Sequence, residues 1–148
     1  MNSIKAIKAP SRYCKEPHLQ IEIDGKLLDR YLEEQTGEEY GGLVPTLLPW
    51  ISDEKESEYC YEKILPENQE SIAPILMCPD DVDLWCTLIV AKIKVSAGKV
   101  YWRKLGLENS AADTLEELCS EVKWFEIKPF EFEIEDYKKF IKKFKEEA

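Results

Sequence analysis

"LWCTLIVAKIKV", residues 84–95, is the stretch on which the fold turns. Trp85, Ile89, Ala91, Ile93 and Val95 fall on one face of an extended chain. On the other face Leu84, Cys86, Leu88 and Val90 are apolar, and then Lys92 and Lys94 bring charge. Side chains alternate along a strand, so both faces are buried at first and one meets water near the end. The pattern predicts a central strand over 84–95, with Cys86 as a small core residue. "SAGK" (96–99) predicts a turn into "VYWRKL" (100–105), making a hairpin. "EVKWFEI" (121–127) sets Val122 and Trp124 against Lys123 and reads as a further antiparallel strand.

Upstream, "SIKAIK" (3–8) and "HLQIEIDGKLL" (18–28) read as strands, the second turning at Asp24-Gly25. "LLDRYLEEQ" (27–35) has helical apolar spacing and closes near Gly37. "YGGLVPTLLPW" (40–50) reads as a packed loop, because Pro45 and Pro49 interrupt regular structure. Ser52 is the expected N-cap of a helix running to about Leu65, with Asp53, Glu54 and Glu56 suiting its positive end. Residues 106–120 are polar and loop-like. "IEDYKKFIKKFKEE" (134–147) places Ile134, Tyr137, Phe140, Ile141 and Phe144 on one stripe among lysines, an amphipathic helix. Together these elements predict one α+β domain over 1–148. It has a mainly antiparallel sheet and about three helices packed on it, the last C-terminal.

A chain of 148 residues with 44% apolar and 34% charged residues can bury one real core and is not a disordered segment. The N-terminal stretch lacks the apolar run of a signal peptide, and no run approaches a membrane span. Five cysteines, odd in number and irregularly spaced, point to reduced thiols in a cytoplasm. The net charge of −10 is concentrated: residues 50–83 hold 10 acidic against 2 basic side chains. Residues 1–49 hold 8 against 6, and residues 84–148 hold 12 of each. Such a segment repels phosphate backbones, which disfavours nucleic acid, and attracts a basic protein.

"MCPDDVDLWC" (77–86) is the stretch richest in chemical side chains. As a calcium loop it fails: Cys86 stands where glycine is needed and Lys92 where the bidentate glutamate is needed. For zinc the spacing of Cys78 and Cys86 gives no C-x-x-C, and His18 is the only histidine. Nucleophilic catalysis has only His18 as a base, and no glycine-rich phosphate or nucleophile motif occurs. These observations predict no catalytic residues, no metal and no cofactor. The rival reading is a small metal-dependent hydrolase using the carboxylates of Asp80, Asp81 and Asp83 with Glu62 or Glu67.

The ordered segments "GLVPTLLPW", "ILP", "APILMCPDDVDLWCTLIVAKI", "VYWRKLGL" and "VKWF", followed by the aromatic C-terminal helix, resemble a group of small acidic bacterial proteins of unknown function. Some proteins of that kind act as immunity proteins in toxin–immunity systems. The resemblance implies a non-enzymatic binding protein and carries over no catalytic residues. With the charge pattern, it gives the expected contact set: Asp53, Glu54, Glu56, Glu58, Asp80, Asp81 and Asp83, with Trp50 and Tyr59 as aromatic anchors.

Overall fold

A computed structural model describes residues 1–147. The elements in chain order are β1 (Ile4–Ala9), β2 (His18–Ile23), β3 (Lys26–Leu27), α1 (Leu28–Thr36), β4 (Val44–Pro45) and α2 (Glu54–Ile64). They continue with β5 (Glu70–Met77), β6 (Leu88–Ser96), β7 (Lys99–Glu108), β8 (Val122–Trp124), β9 (Phe130–Glu133) and α3 (Ile134–Glu146). Every strand pairing is antiparallel. One sheet has the order β1-β2-β3. The larger has the order β4-β5-β6-β7-β8, and β9 pairs with the same β7. Because β8 meets β7 at Gly106–Glu108 and β9 meets it at Lys99–Trp102, the two short strands share one edge. The α+β architecture with a C-terminal third helix is the one the sequence predicts.

β6 lies inside the larger sheet. Leu88, Ile89, Val90 and Ala91 are all buried, and Lys92 then emerges, as the change in its pattern requires. The strand is shorter than the predicted 84–95, because residues 84–87 belong to the connection from β5. The β6–β7 turn is Ala97-Gly98, with φ of 53° and 76°, the two-residue left-handed geometry that matches sheet twist. β5 carries Pro74, and the pairing with β6 slips between Pro74 and Leu76, a bulge where the missing N–H is tolerated. β4 includes Pro45 because it is the edge strand, with one side free of ladder bonds.

The two sheets and α3 enclose one continuous core. Trp102, Phe132, Tyr137 and Phe144 are its largest fully buried side chains. Trp102 and Tyr137 meet edge to face, with ring centres 6.4 Å apart. Trp102 Nε1 donates to Tyr137 Oη at 3.1 Å, and Tyr137 Oη donates to the Ile64 carbonyl at 2.6 Å. One phenol therefore joins the sheet, α3 and the end of α2, and burial pushes its pKa well up. The lone histidine, His18, is also part of this framework. It is buried, with ring nitrogens 3.1 Å from the Leu19 carbonyl and 3.0 Å from Ser11 Oγ.

Candidate functional site

The N-cap of α2 is Asp53, not the expected Ser52. The Asp53 carboxylate accepts from the backbone N–H of Lys55 at 2.9 Å and of Glu56 at 3.1 Å. An aspartate here satisfies two orphan donors and, unlike a serine, also places negative charge at the positive helix end. Glu56, Cys60 and Ile64 form the inward face. Burial pushes the Cys60 thiol up to about 12. Glu54, Glu58 and Glu62 form an exposed row at four-residue spacing. Among the described residues, none of the three, nor Glu67, makes an ion pair. Like charges at this spacing repel, so the row weakens the helix that carries it.

Between the C-terminal half of α2 and the start of β5 lies a groove of about 740 Å³. Glu58, Glu62, Glu67 and Glu70 line it, with Lys63 as its one cation among the described residues. Glu70 reaches Lys94 only at 3.9 Å. Tyr61 and Leu65 supply apolar surface. Tyr61 is held in place because its hydroxyl donates to the Leu47 carbonyl at 2.7 Å, and Lys145 of α3 sits over its ring at 5.4 Å.

The connection from β5 to β6, residues 78–87, lies against the first turn of α2. Glu56 Oε1 accepts from the Leu84 N–H at 3.2 Å, and the Leu84 side chain is buried. Val82 N–H donates to the Cys78 carbonyl at 3.1 Å, and Trp85 N–H donates to Asp83 Oδ1 at 3.0 Å. Val82 has φ of 43°, an unusual conformation for a β-branched residue. Cys78 Sγ, an Asp81 carboxylate oxygen and Cys86 Sγ all lie within 4.8 Å of one another. Hydrogen bonding to Asp81, above all, raises the Cys86 thiol pKa. Cys86 is exposed, which corrects its expected place in the core: burial passes instead to Leu84, two residues earlier.

The expected contact set is therefore only partly assembled. Asp53, Glu54 and Glu58 are exposed on α2, and Asp80 and Asp81 are exposed on the adjoining connection. Asp83 is half-buried and caps its own turn. Glu56 is 8% exposed, so it belongs to the framework and not to a contact surface. Trp50 leaves the set as well. It packs on His18 with ring centres 5.0 Å apart, in a separate cleft shared with Cys14 and Glu147. Tyr59 is half-buried in a third cleft against Leu115 and Leu118, where burial raises its pKa.

The groove aromatic is Tyr61, and neither of the expected anchors Trp50 and Tyr59 lines the groove. The groove carboxylates Glu67 and Glu70 come from the turn into β5, a strand that Pro74 conceals in the sequence. The row of Glu54, Glu58 and Glu62 was open to detection, since its four-residue spacing is visible. Asp80, Asp81 and Asp83 do not converge with Glu62 or Glu67 into a common cation-holding group among the described residues.

No helix among the described residues is long and apolar enough to cross a membrane. No family model, curated protein or solved structure matches this chain.

Proposed function

We propose that this protein is a non-enzymatic binding module of the cytoplasm that captures a basic protein through the face built on α2. The supporting observation is the uncompensated row of Glu54, Glu58 and Glu62, which continues into a groove of four carboxylates and one lysine. Carboxylates that outnumber the cations beside them hold a negative potential at the surface, which draws in a positively charged partner and excludes phosphate backbones. The groove is concave and has apolar surface at Tyr61 and Leu65, so a lysine or arginine stem can lie on it while its charged head meets glutamate. Tyr61 is the anchor in this reading, because a held aromatic loses little freedom on binding. A basic toxin neutralised by this chain is the partner class that the sequence resemblance implies.

The test is affinity capture from the source cell on the immobilised chain, at low and at high salt. The triple variant Glu54→Gln, Glu58→Gln, Glu62→Gln serves as the comparison. Capture of a basic protein that is lost both at high salt and on the triple variant supports the reading. Capture limited to neutral or acidic proteins, or equal capture by the variant, removes it.

A further inference from the structure

We propose that Cys78, Asp81 and Cys86 form a binding site for one zinc ion at the mouth of the β5–β6 connection. Two thiol sulfurs and one carboxylate oxygen converge there to within 4.8 Å. In tetrahedral zinc sites, with Zn–S near 2.3 Å and Zn–O near 2.1 Å, neighbouring ligand atoms lie about 3.6–3.8 Å apart. The donors therefore need to close by about 1 Å, a movement that side-chain rotation supplies at the exposed Asp81 and Cys86.

Strand pairing explains why two sulfurs with seven residues between them meet. Met77 and Leu88 are register partners at the end of the β5–β6 ladder. Cys78 follows the first directly, and Cys86 precedes the second by two residues. The antiparallel ladder thus brings both cysteines to one place, as a C-x-x-C turn does by local geometry. The third donor comes from the curl that the Val82 N–H to Cys78 carbonyl bond closes, which turns Asp81 back toward the sulfurs. The far side of the connection is fixed by the buried Leu84 and by Glu56. The ligands are consequently held by sheet and helix, not by a free loop.

The donor set selects the ion. Magnesium and calcium take oxygen ligands in sixfold or higher coordination, whereas two thiolates with one carboxylate suit a borderline-soft cation in a tetrahedron. On binding, each thiol releases its proton to solvent, and the doubly charged ion offsets two of the three negative charges then gathered at the site. Three protein donors leave a fourth position on the exposed side for water. This site is distinct from the α2–β5 groove and does not depend on the binding role proposed for it.

The experiment uses the purified full chain, reduced with a phosphine and freed of metal. Cobalt(II) is titrated as the optical probe, and zinc(II) then competes for it. One equivalent of cobalt should bring a thiolate-to-metal charge-transfer band and tetrahedral d–d bands, both abolished by one equivalent of zinc. Cys86→Ser, at an exposed position that should not disturb folding, should lose the charge-transfer band or most of it, as should Cys78→Ser. Cys14→Ser should retain it. A supporting group around a metal site is worth about tenfold or more in affinity, so Asp81→Asn, which removes a direct ligand, should weaken zinc binding at least that much. Thermal melts confirm that each variant is folded. No band in the reduced parent overturns the proposal, as does a band that keeps its full intensity in Cys86→Ser. Reduced protein that binds no cobalt but forms a Cys78–Cys86 disulfide on air oxidation also overturns it, marking the pair as a redox element. Unchanged zinc affinity in Asp81→Asn would remove the carboxylate and with it the three-ligand site.

Discussion

Glu56 Oε1 and the backbone N–H of Leu84 lie 3.2 Å apart, joining the first turn of α2 to the connection between β5 and β6. The two acidic portions of the 50–83 segment are held together by this contact across 28 residues of chain. Glu56→Ala leaves the buried Leu84 N–H without a partner, which costs about 1–3 kcal/mol. Glu56→Gln keeps an acceptor oxygen and should lose markedly less. Denaturant melts measure the difference, and amide exchange at Leu84 should quicken in the alanine variant only.

Tyr137 is the corresponding joint of the core. Tyr137→Phe strands the Trp102 indole N–H and the Ile64 carbonyl, both buried, at a cost of about 1–3 kcal/mol for each unsatisfied group. The melt should shift to lower denaturant, with a change in the fluorescence of the native state as Trp102 loses its acceptor.

The lysines of α3 and its aromatic stripe should separate cleanly. Phe140 is 2% exposed and meets Phe144 at 5.5 Å between ring centres. Its truncation to alanine should cost about 3–5 kcal/mol. Lys139→Gln and Lys142→Gln, at exposed positions, should each stay within about 0.5 kcal/mol of the parent.

Alkaline pH should destabilise the fold. Burial pushes the Cys60 thiol from 9.0 to about 12, so the folded chain keeps a proton that the unfolded chain gives up in that window. The unfolded state then binds fewer protons, and stability falls as pH rises above about 9. Below that the contribution is fully present. Burial raises the tyrosines Tyr59, Tyr61 and Tyr137 in the same direction, extending the decline. Urea midpoints measured across this range should fall with pH, and Cys60→Ala should flatten the early part of the slope.

Much of the architecture was legible because its signals are local. The alternation in 88–95, the mirror-type turn at Ala97-Gly98 and the helical stripe from Ile134 to Phe144 each specify their element within a short window. Three features were not legible, for a common reason: distant residues decide them. β5 is hidden by Pro74, which is tolerated only because a bulge in its pairing with β6 accommodates it. β9 is four residues long and exists through its register on β7. Cys86 is apolar in type and in phase with the strand pattern, yet it is exposed. Leu84 fills the core at that point, and Glu56, far away in sequence, holds the backbone there. For the site, charge density located α2, while the groove and the approach of Cys78, Asp81 and Cys86 depend on strand pairing.

The carboxylate row gives a dissection of stability from binding. Glu54, Glu58 and Glu62 repel one another along α2, so neutralising Glu58 should leave stability unchanged or raise it by about 0.2–0.5 kcal/mol. The same change should weaken partner capture. A variant at once as stable as the parent and poorer at binding marks these side chains as serving a partner.

The most direct measurement is the association rate of the captured partner with the parent and with the Glu54→Gln, Glu58→Gln, Glu62→Gln variant, followed across ionic strength. Charge-steered encounter slows as the screening length shrinks toward about 3 Å near 1 M salt, while dissociation changes far less. The binding account predicts a steep fall in the parent's on-rate with salt. It also predicts a slower, flatter profile in the variant, the two converging at high salt. An on-rate indifferent to salt, or identical profiles for parent and variant, would contradict it.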